Sequence, residues 1–160
     1  MKEIKLNNGN VTVVDDEDYE WLNQWKWEYK YDKRCRTAYV ERRAYINGKR
    51  TTVSMHRIIM GSPKGMQIDH IDHDGCNNQR TNLRICTTAQ NQWNARIRQD
   101  NNSGYIGVWY DDRRKKWVAE IKANHKHYRL GNFDKAIDAV RAYNEAALKY
   151  HGQFATINQL

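Results

Sequence analysis

"MQIDHIDHDGCNNQRTNLR", residues 66–84, holds two Asp-His pairs three residues apart, Asp69-His70 and Asp72-His73, followed by a run of amides. A hydrophobic core has no use for such a segment, because each buried polar group needs a partner. A calcium loop is one reading, since Asp72, Asp74 and Gly75 stand at suggestive offsets. It fails because the first and twelfth positions would be His70 and Thr81, where carboxylates are required. A polar turn around a satisfied histidine is another, and it suits a lone His. His70 is not alone: Asp69 precedes it, Asn82 follows twelve residues on and Asn91 nine after that.

The flanking pattern predicts how these four meet. A short strand ends near His70, a polar loop follows, "LRIC" forms a second strand, and a helix runs from about Thr88 to Arg98, capped by Thr87 or Thr88. Asp69 and Asn91 offer hard oxygen donors, which suit Mg²⁺ or Mn²⁺ better than zinc. His70 is then free to act as a base. Asn94 is the rival ligand on the same helix face, and Arg98 joins that face one turn later, within reach of a phosphate. Trp93 and Ile97 pack in the core. His73 falls in the loop, and His56 of "MHR" lies near the site or serves structure.

The motif formed by "DH" at 69–70, the Asn of "TNLR" at 82 and the Asn of "AQNQWN" at 91 resembles the HNH nucleases, the ββα-metal group of phosphodiesterases. It is most similar to phage-type homing endonucleases, whose last motif position is Asn. "MHRIIMGSPKGMQIDHIDHDG" resembles the lead-in of the same enzymes. The resemblance covers about 40 residues, and its four-position spacing is the specific part. It implies His70 as general base, Asp69 and Asn91 as ligands of one Mg²⁺ or Mn²⁺ ion, and Asn82 as the residue that holds the loop and orients His70.

Residues 1–60 read as small strands with one helix. "NVTVVDD" alternates after an Asn8-Gly9 turn, "DDEDYEWLNQW" suits a short helix with an acidic start, and "KWEYKY" alternates again. In "TAYVERRAYINGKRTTVSMHR", Asn47-Gly48 separates two β-prone runs and is the best hairpin signal in the chain. The only proline lies in the turn "GSPKG", and "RQDNNSG" reads as a linker.

Residues 104–134 read as three strands, "YIGVWYDD", "KKWVAEIKA" and "KHYRLGNF", and residues 134–151 as a helix stopped by Gly152. Alternation turns Trp117, Ala119, Ile121, Tyr128 and Leu130 toward that helix. It leaves Val118, Glu120, Lys122, His127 and Arg129 on an exposed outer face. "YIGV", "WVAEI", "RLGNF", "AVRAYNEAALKYHG" and "ATIN" resemble the APETALA2-type domain of plant ethylene-response factors, which lays a three-stranded sheet in the DNA major groove. The resemblance implies DNA contacts from Lys122, His127 and Arg129. Trp109 and Ile106 stand where plant members usually carry arginine, so the plant target sequence does not transfer. Arg113, Arg114, Lys115 and Lys116 are candidates for phosphate contacts, with Arg98 and Trp109 completing the DNA-binding set.

The bulk numbers agree with a nucleic-acid partner. The 160 residues carry 27 Lys and Arg against 19 Asp and Glu, a formal charge of +8, and a pI near 9.4, which is a footprint of DNA binding. Mean hydropathy is −1.01, but 6 Trp and 10 Tyr supply apolar anchors for small cores. Three cysteines without a C-x-x-C pair argue against a disulfide framework and a zinc ribbon, and free thiols fit a reducing cytoplasm. No run approaches ~18 apolar residues, so no membrane span is expected.

The expected fold is α+β: an N-terminal strand-rich extension (1–60), a ββα-metal nuclease motif (61–99), and a three-stranded antiparallel sheet packed on one helix (100–160). The expected function is metal-dependent cleavage of double-stranded DNA in the cytoplasm of a bacterial host. The alternative is a non-catalytic DNA-binding regulator with a vestigial nuclease module.

Overall fold

The structure, a computed structural model, describes every residue except 34, 35, 62 and 95. It divides into two compact units, Met1–Asn91 and Gln92–Leu160.

The first unit opens with a hairpin of β1 (Lys2–Lys5) and β2 (Val11–Val14), followed by α1 (Asp16–Leu22), whose first turn holds Asp16, Glu17 and Asp18. Three antiparallel strands come next, in the order β3 (Glu28–Asp32), β4 (Thr37–Ile46), β5 (Lys49–Ser54). Asn47 and Gly48 turn β4 into β5 with φ of 51° and 73°. A type I′ hairpin needs both residues left-handed, which Asn and Gly tolerate. After α2 (Met55–Ile59), β6 (Gln67–His70) and β7 (Leu83–Cys86) pair antiparallel and lead into α3 (Thr88–Trp93).

One core joins these elements. Ile4, Val14, Leu22, Trp27, Val40, Met55, Ile59, Ile68 and Leu83 are buried together, so β6 and β7 rest on the strands that precede them. Arg42 stacks its guanidinium 4.4 Å from the Trp25 ring and adds a cation–π contact at the core's edge.

In the second unit β8 (Val108–Asp111), β9 (Lys116–Ala123) and β10 (Lys126–Phe133) form an antiparallel sheet, order β10-β9-β8, covered by α4 (Ala136–His151). Ala139, Val140, Tyr143, Ala146 and Ala147 of α4 pack on Val108, Ala119 and Ile121. Small alanines let helix and sheet approach closely. Gly107 marks the tightest point: a Cβ there would lie 2.1 Å from the Tyr143 ring, and φ is +68°.

The α+β class holds, with four local corrections. "MHRII" forms α2, because Met55 and Ile59, one turn apart, both bury on the core. α3 stops at Trp93 and does not reach Arg98. Trp93 stacks on His151 at 4.4 Å, and Asn94 is buried beside the Thr156 hydroxyl, so the chain leaves the helix to join the second unit. Ile97 is therefore exposed and not in the core. Val118, expected on the open face of β9, is fully buried, with Trp109 its cross-strand neighbour. Of the cysteines, Cys76 and Cys86 are free thiols, and Cys35 lies outside the described residues. Among the described residues no helix is long and apolar enough to cross a membrane.

Candidate active site

His70 ends β6 and is buried. Its Nε2 lies 3.3 Å from the Oδ1 of Asn78. The Asn78 amide is oriented from its other side, since Nδ2 donates to Thr12 Oγ1 at 2.9 Å and to the Gly75 carbonyl at 3.2 Å. Oδ1 is thus the acceptor, Nε2 carries the proton, and the imidazole lone pair falls on Nδ1. Burial holds the His70 pKa below its ordinary value. The hydrogen bond to Asn78 and the charges of Asp72, Asp69 and Asp74 oppose that shift. The ring of His56 stands edge-on to that of His70 at 5.1 Å, and Tyr39 lies 6.2 Å away. Burial, then the charges of His70 and Arg57, lower His56 to about 3, and its buried Nδ1 has no hydrogen-bond partner among the described residues.

The loop between β6 and β7 is stitched by Asn82. Its Oδ1 accepts from the Asp72 backbone at 3.1 Å, and its Nδ2 donates to Asp72 Oδ1 at 2.9 Å and to the Asn77 carbonyl at 2.8 Å. Burial alone would raise the Asp72 pKa, but hydrogen bonds from Asp74, Asn77 and Asn82 hold it below the usual carboxylate range. Arg80 ties the loop to α1 by a two-pronged contact with the buried Asp18, at 2.8 and 2.7 Å. Gly75 packs flat on β4, where a Cβ would lie 1.8 Å from the Ala38 carbonyl oxygen.

Asp69 points to the opposite face of β6 from His70. Its Oδ2 receives Arg84 Nε at 2.9 Å and Nη2 at 2.7 Å from the directly paired position on β7. Gln67 lies on the same face as Asp69, and its Oε1 takes a hydrogen bond from Asn91 Nδ2 at 2.7 Å. That bond turns the amide so that its oxygen remains for another partner. Thr87 caps α3, donating its backbone N–H to Gln90 Oε1 and accepting from the Gln90 N–H, a reciprocal box that sets the start of the helix and so the place of Asn91. The donor set of Asp69 carboxylate and Asn91 carbonyl fits a hard divalent ion. Among the described residues no group of three or more His, Cys, Asp or Glu surrounds such an ion, so water and phosphate oxygens would complete its shell.

In the second unit the outer sheet face carries Lys122 and His127 as a cross-strand pair, then Glu120 and Arg129. His127 Nδ1 lies 2.6 Å from Glu120 Oε1, and Arg129 Nη2 donates to Asn132 at 2.7 Å. In the β8–β9 turn Arg114 pairs with Asp111 at 2.7 Å and Lys115 with Asp112 at 3.7 Å, while Arg113 is exposed. Arg98 pairs with Asp100 at 2.9 Å and, outside the helix, no longer shares a face with Asn91. Trp109 is 42% exposed on the outer face.

Comparison with known proteins bears on both units. Residues 55–93 match the HNH endonuclease family, and residues 103–153 match the AP2 domain. Protein 3.8 of Escherichia phage T7 is 32% identical over 93 residues, 58% of this chain and 76% of that protein. The chain belongs to the HNH endonuclease family and carries an AP2 domain. An "Uncharacterized HNH endonuclease L560" of Acanthamoeba polyphaga mimivirus is 29% identical over 98 residues, 61% of this chain and 50% of that protein. "APETALA2-like protein 2" of rice is 40% identical over 60 residues, 38% of this chain and 14% of that protein. No solved structure matches the chain.

HNH nucleases generally use a divalent metal ion, and HNH and AP2 domains both bind DNA. Within the HNH match of this chain lie three residues that motif spacing does not single out: Asn78, Arg80 and Arg84. Asn78 hydrogen-bonds to His70, whereas the Asn82 side chain bonds to Asp72 and Asn77 of the loop. The cross-strand position of Arg84 opposite Asp69 was legible once the two strands were paired. Asn78 carried no such signal, because its partner Thr12 is 66 residues away.

Proposed function

We propose that this HNH family member is a metal-dependent, homing-type DNA endonuclease in which His70 is the general base. Asp69 and Asn91 would hold Mg²⁺ or Mn²⁺, one ion per site, and the AP2 sheet would hold the duplex. The observation that carries the reading is the Asn78–His70 contact, which leaves the imidazole lone pair on Nδ1 of a histidine kept neutral by burial. Nδ1 takes a proton from water as the water oxygen bonds to phosphorus. The P–O3′ bond then breaks, and the 3′ oxygen takes its proton from solvent. Asn82 keeps the loop closed around His70, and Asn78 keeps the ring turned. The metal, when bound, neutralises charge on the phosphate and the leaving oxygen.

On the AP2 unit, Lys122, His127, Arg129 and Trp109 form the proposed groove-facing set. Arg98, Arg113, Arg114 and Lys115 contact phosphates. The segments 1–60, 61–99 and 100–160 then act as nuclease scaffold, nuclease motif and DNA-binding domain. The expected site of action is the cytoplasm of a bacterial host.

The Asp69–Arg84 pair favours a second reading, a DNA-binding regulator with a vestigial nuclease, because a carboxylate already matched by a guanidinium has less need of a cation. Supercoiled plasmid incubated with the chain in Mg²⁺, in Mn²⁺ and in EDTA, with His70→Ala alongside, separates the two. Nicking or linearisation that needs both metal and His70 supports the nuclease. Duplex binding without cleavage on a varied DNA pool supports the regulator.

A further inference from the structure

We propose that the β4–β5 hairpin is a second duplex-DNA contact surface, gripping the phosphate backbone to one side of the cleavage site through Arg43, Lys49 and Arg50. The position of the cut rests on the nuclease reading above; the contact itself does not.

Charge is distributed unevenly along the first unit. From Arg42 to Ile68 the sequence holds six Lys and Arg and no Asp or Glu, whereas residues 1–41 hold seven Lys and Arg against nine Asp and Glu. The cationic run covers the far half of β4, all of β5 and α2, and it ends one residue before Asp69. Arg42 is occupied by its stack on Trp25. Arg43, Lys49, Arg50, Arg57 and Lys64 are exposed, and among the described residues none of them enters an ion pair. In the second unit the cations are mixed: Arg98, Arg114, Lys115, Lys116 and Arg141 each have a carboxylate partner, while Arg113, Lys122 and Lys126 enter no ion pair among the described residues. Surface cations that no side chain neutralises recruit counterions, and DNA phosphates displace those counterions with a gain in entropy.

The register gives this charge a direction. Arg43 pairs with Thr52 and Tyr45 with Arg50, so Arg43, Tyr45 and Arg50 share one face of the hairpin. Tyr39 lies on that same face, and its ring is 6.2 Å from His70. The face therefore runs from the candidate base outward to the hairpin tip. Its carboxylates, Glu28, Asp32 and Glu41, all sit at the inner end, where Glu41 accepts a hydrogen bond from Ser54. The outer end has none. Tyr45 is exposed there at 77%. Lys49, paired with Ile46, extends from the opposite face at the hairpin tip, so the three cations flank the tip of the ribbon. From Tyr39 to Tyr45 a strand advances about 20 Å, the length of about six base pairs. A two-stranded ribbon of this kind fits a major groove.

The test is the full chain carrying R43Q, K49Q and R50Q together, made in both the wild-type and the His70→Ala background. These side chains are exposed, so the core is not disturbed. Binding to a duplex selected by the wild-type chain from a random pool is measured across a salt series, and backbone protection is mapped by hydroxyl radicals. The slope of log K against log salt is expected to fall by about two to three, with protection lost on one flank over about six base pairs and kept elsewhere. An unchanged slope and footprint would overturn the proposal, as would a loss spread evenly over the footprint. Because both readouts are binding, they hold whether or not the chain cleaves. A local loss in a protein that never cuts would sink the nuclease reading and leave this surface standing.

Discussion

The described residues of the first unit bury Thr12, Asp18, His56, Asp69, His70, Asn78 and Asn82, while those of the second bury Asn94, His151 and Asn158 and close their core with alanines. In the first unit Thr12, Asn78 and His70 form one hydrogen-bonded chain with His56 edge-on to it, while Asp18 and Asp69 are matched by Arg80 and Arg84 and Asn82 ties the loop. In the second Asn158 and His151 serve the backbone: Asn158 accepts the Ile106 N–H, and His151 meets the Lys122 carbonyl. A buried polar network must be satisfied to be tolerated, so it specifies one geometry. An exposed charged face imposes no such demand. The HNH unit is built to hold a histidine still, and the AP2 unit is built to present a surface.

That contrast is broken most directly at His70. His70→Ala is expected to lower cleavage about 10²–10⁴-fold with duplex affinity unchanged, read by plasmid nicking beside a gel-shift titration. Cleavage at the wild-type rate would remove His70 from the chemistry. The corresponding weak point of the AP2 unit is a packing contact. Gly107→Ala places a Cβ against Tyr143 at a left-handed φ, and a loss of about 2–5 kcal/mol is expected. Thermal unfolding followed by DNA binding checks it, and an unchanged melting temperature would show that helix and sheet can part.

Acid sharpens the comparison. His56 is neutral in the folded unit, with its pKa lowered from 6.5 to about 3. Below pH 6.5 the unfolded chain binds a proton that the folded unit refuses. The stability is therefore whole above pH 6.5 and declines as pH falls toward 3, by about 1.4 kcal/mol per pH unit. Urea unfolding at pH 7.5 and 5.5 should show the loss, and His56→Phe should flatten it. Equal pH slopes in both proteins would clear His56 of this role.

Asn78→Ala should reduce kcat about 10–100-fold with KM unchanged, since the ring loses its orientation and the substrate keeps its contacts. A rise in KM alone would make Asn78 a binding residue. The smallest effect is expected at Arg114→Ala. This side chain already spends its charge on Asp111, and an exposed pair of this kind is worth little. The salt slope should fall by about one, evenly across sequences, and an unaltered slope would place Arg114 outside the interface.

Much of this protein is legible before folding. The alternation of "KKWVAEIKA" and "KHYRLGNF", the Asn47-Gly48 turn, the stripe of α4 and the spacing of Asp69-His70, Asn82 and Asn91 are local patterns, each read within one element or one motif. These patterns indicate the α+β class, and the resemblance to two families singles out His70 as the candidate base. The tertiary structure alone decides the rest. It ends α3 at Trp93, where stacking on His151 outweighs helical continuity. It sets Arg84 against Asp69, turns the Asn78 amide with a hydroxyl from β2, and pairs Arg114 with Asp111 while leaving Arg43, Lys49 and Arg50 outside any ion pair among the described residues. These outcomes depend on groups distant in sequence that meet only when the chain is packed. Periodicity records which face a residue takes, whereas the partner waiting on that face is set by the fold.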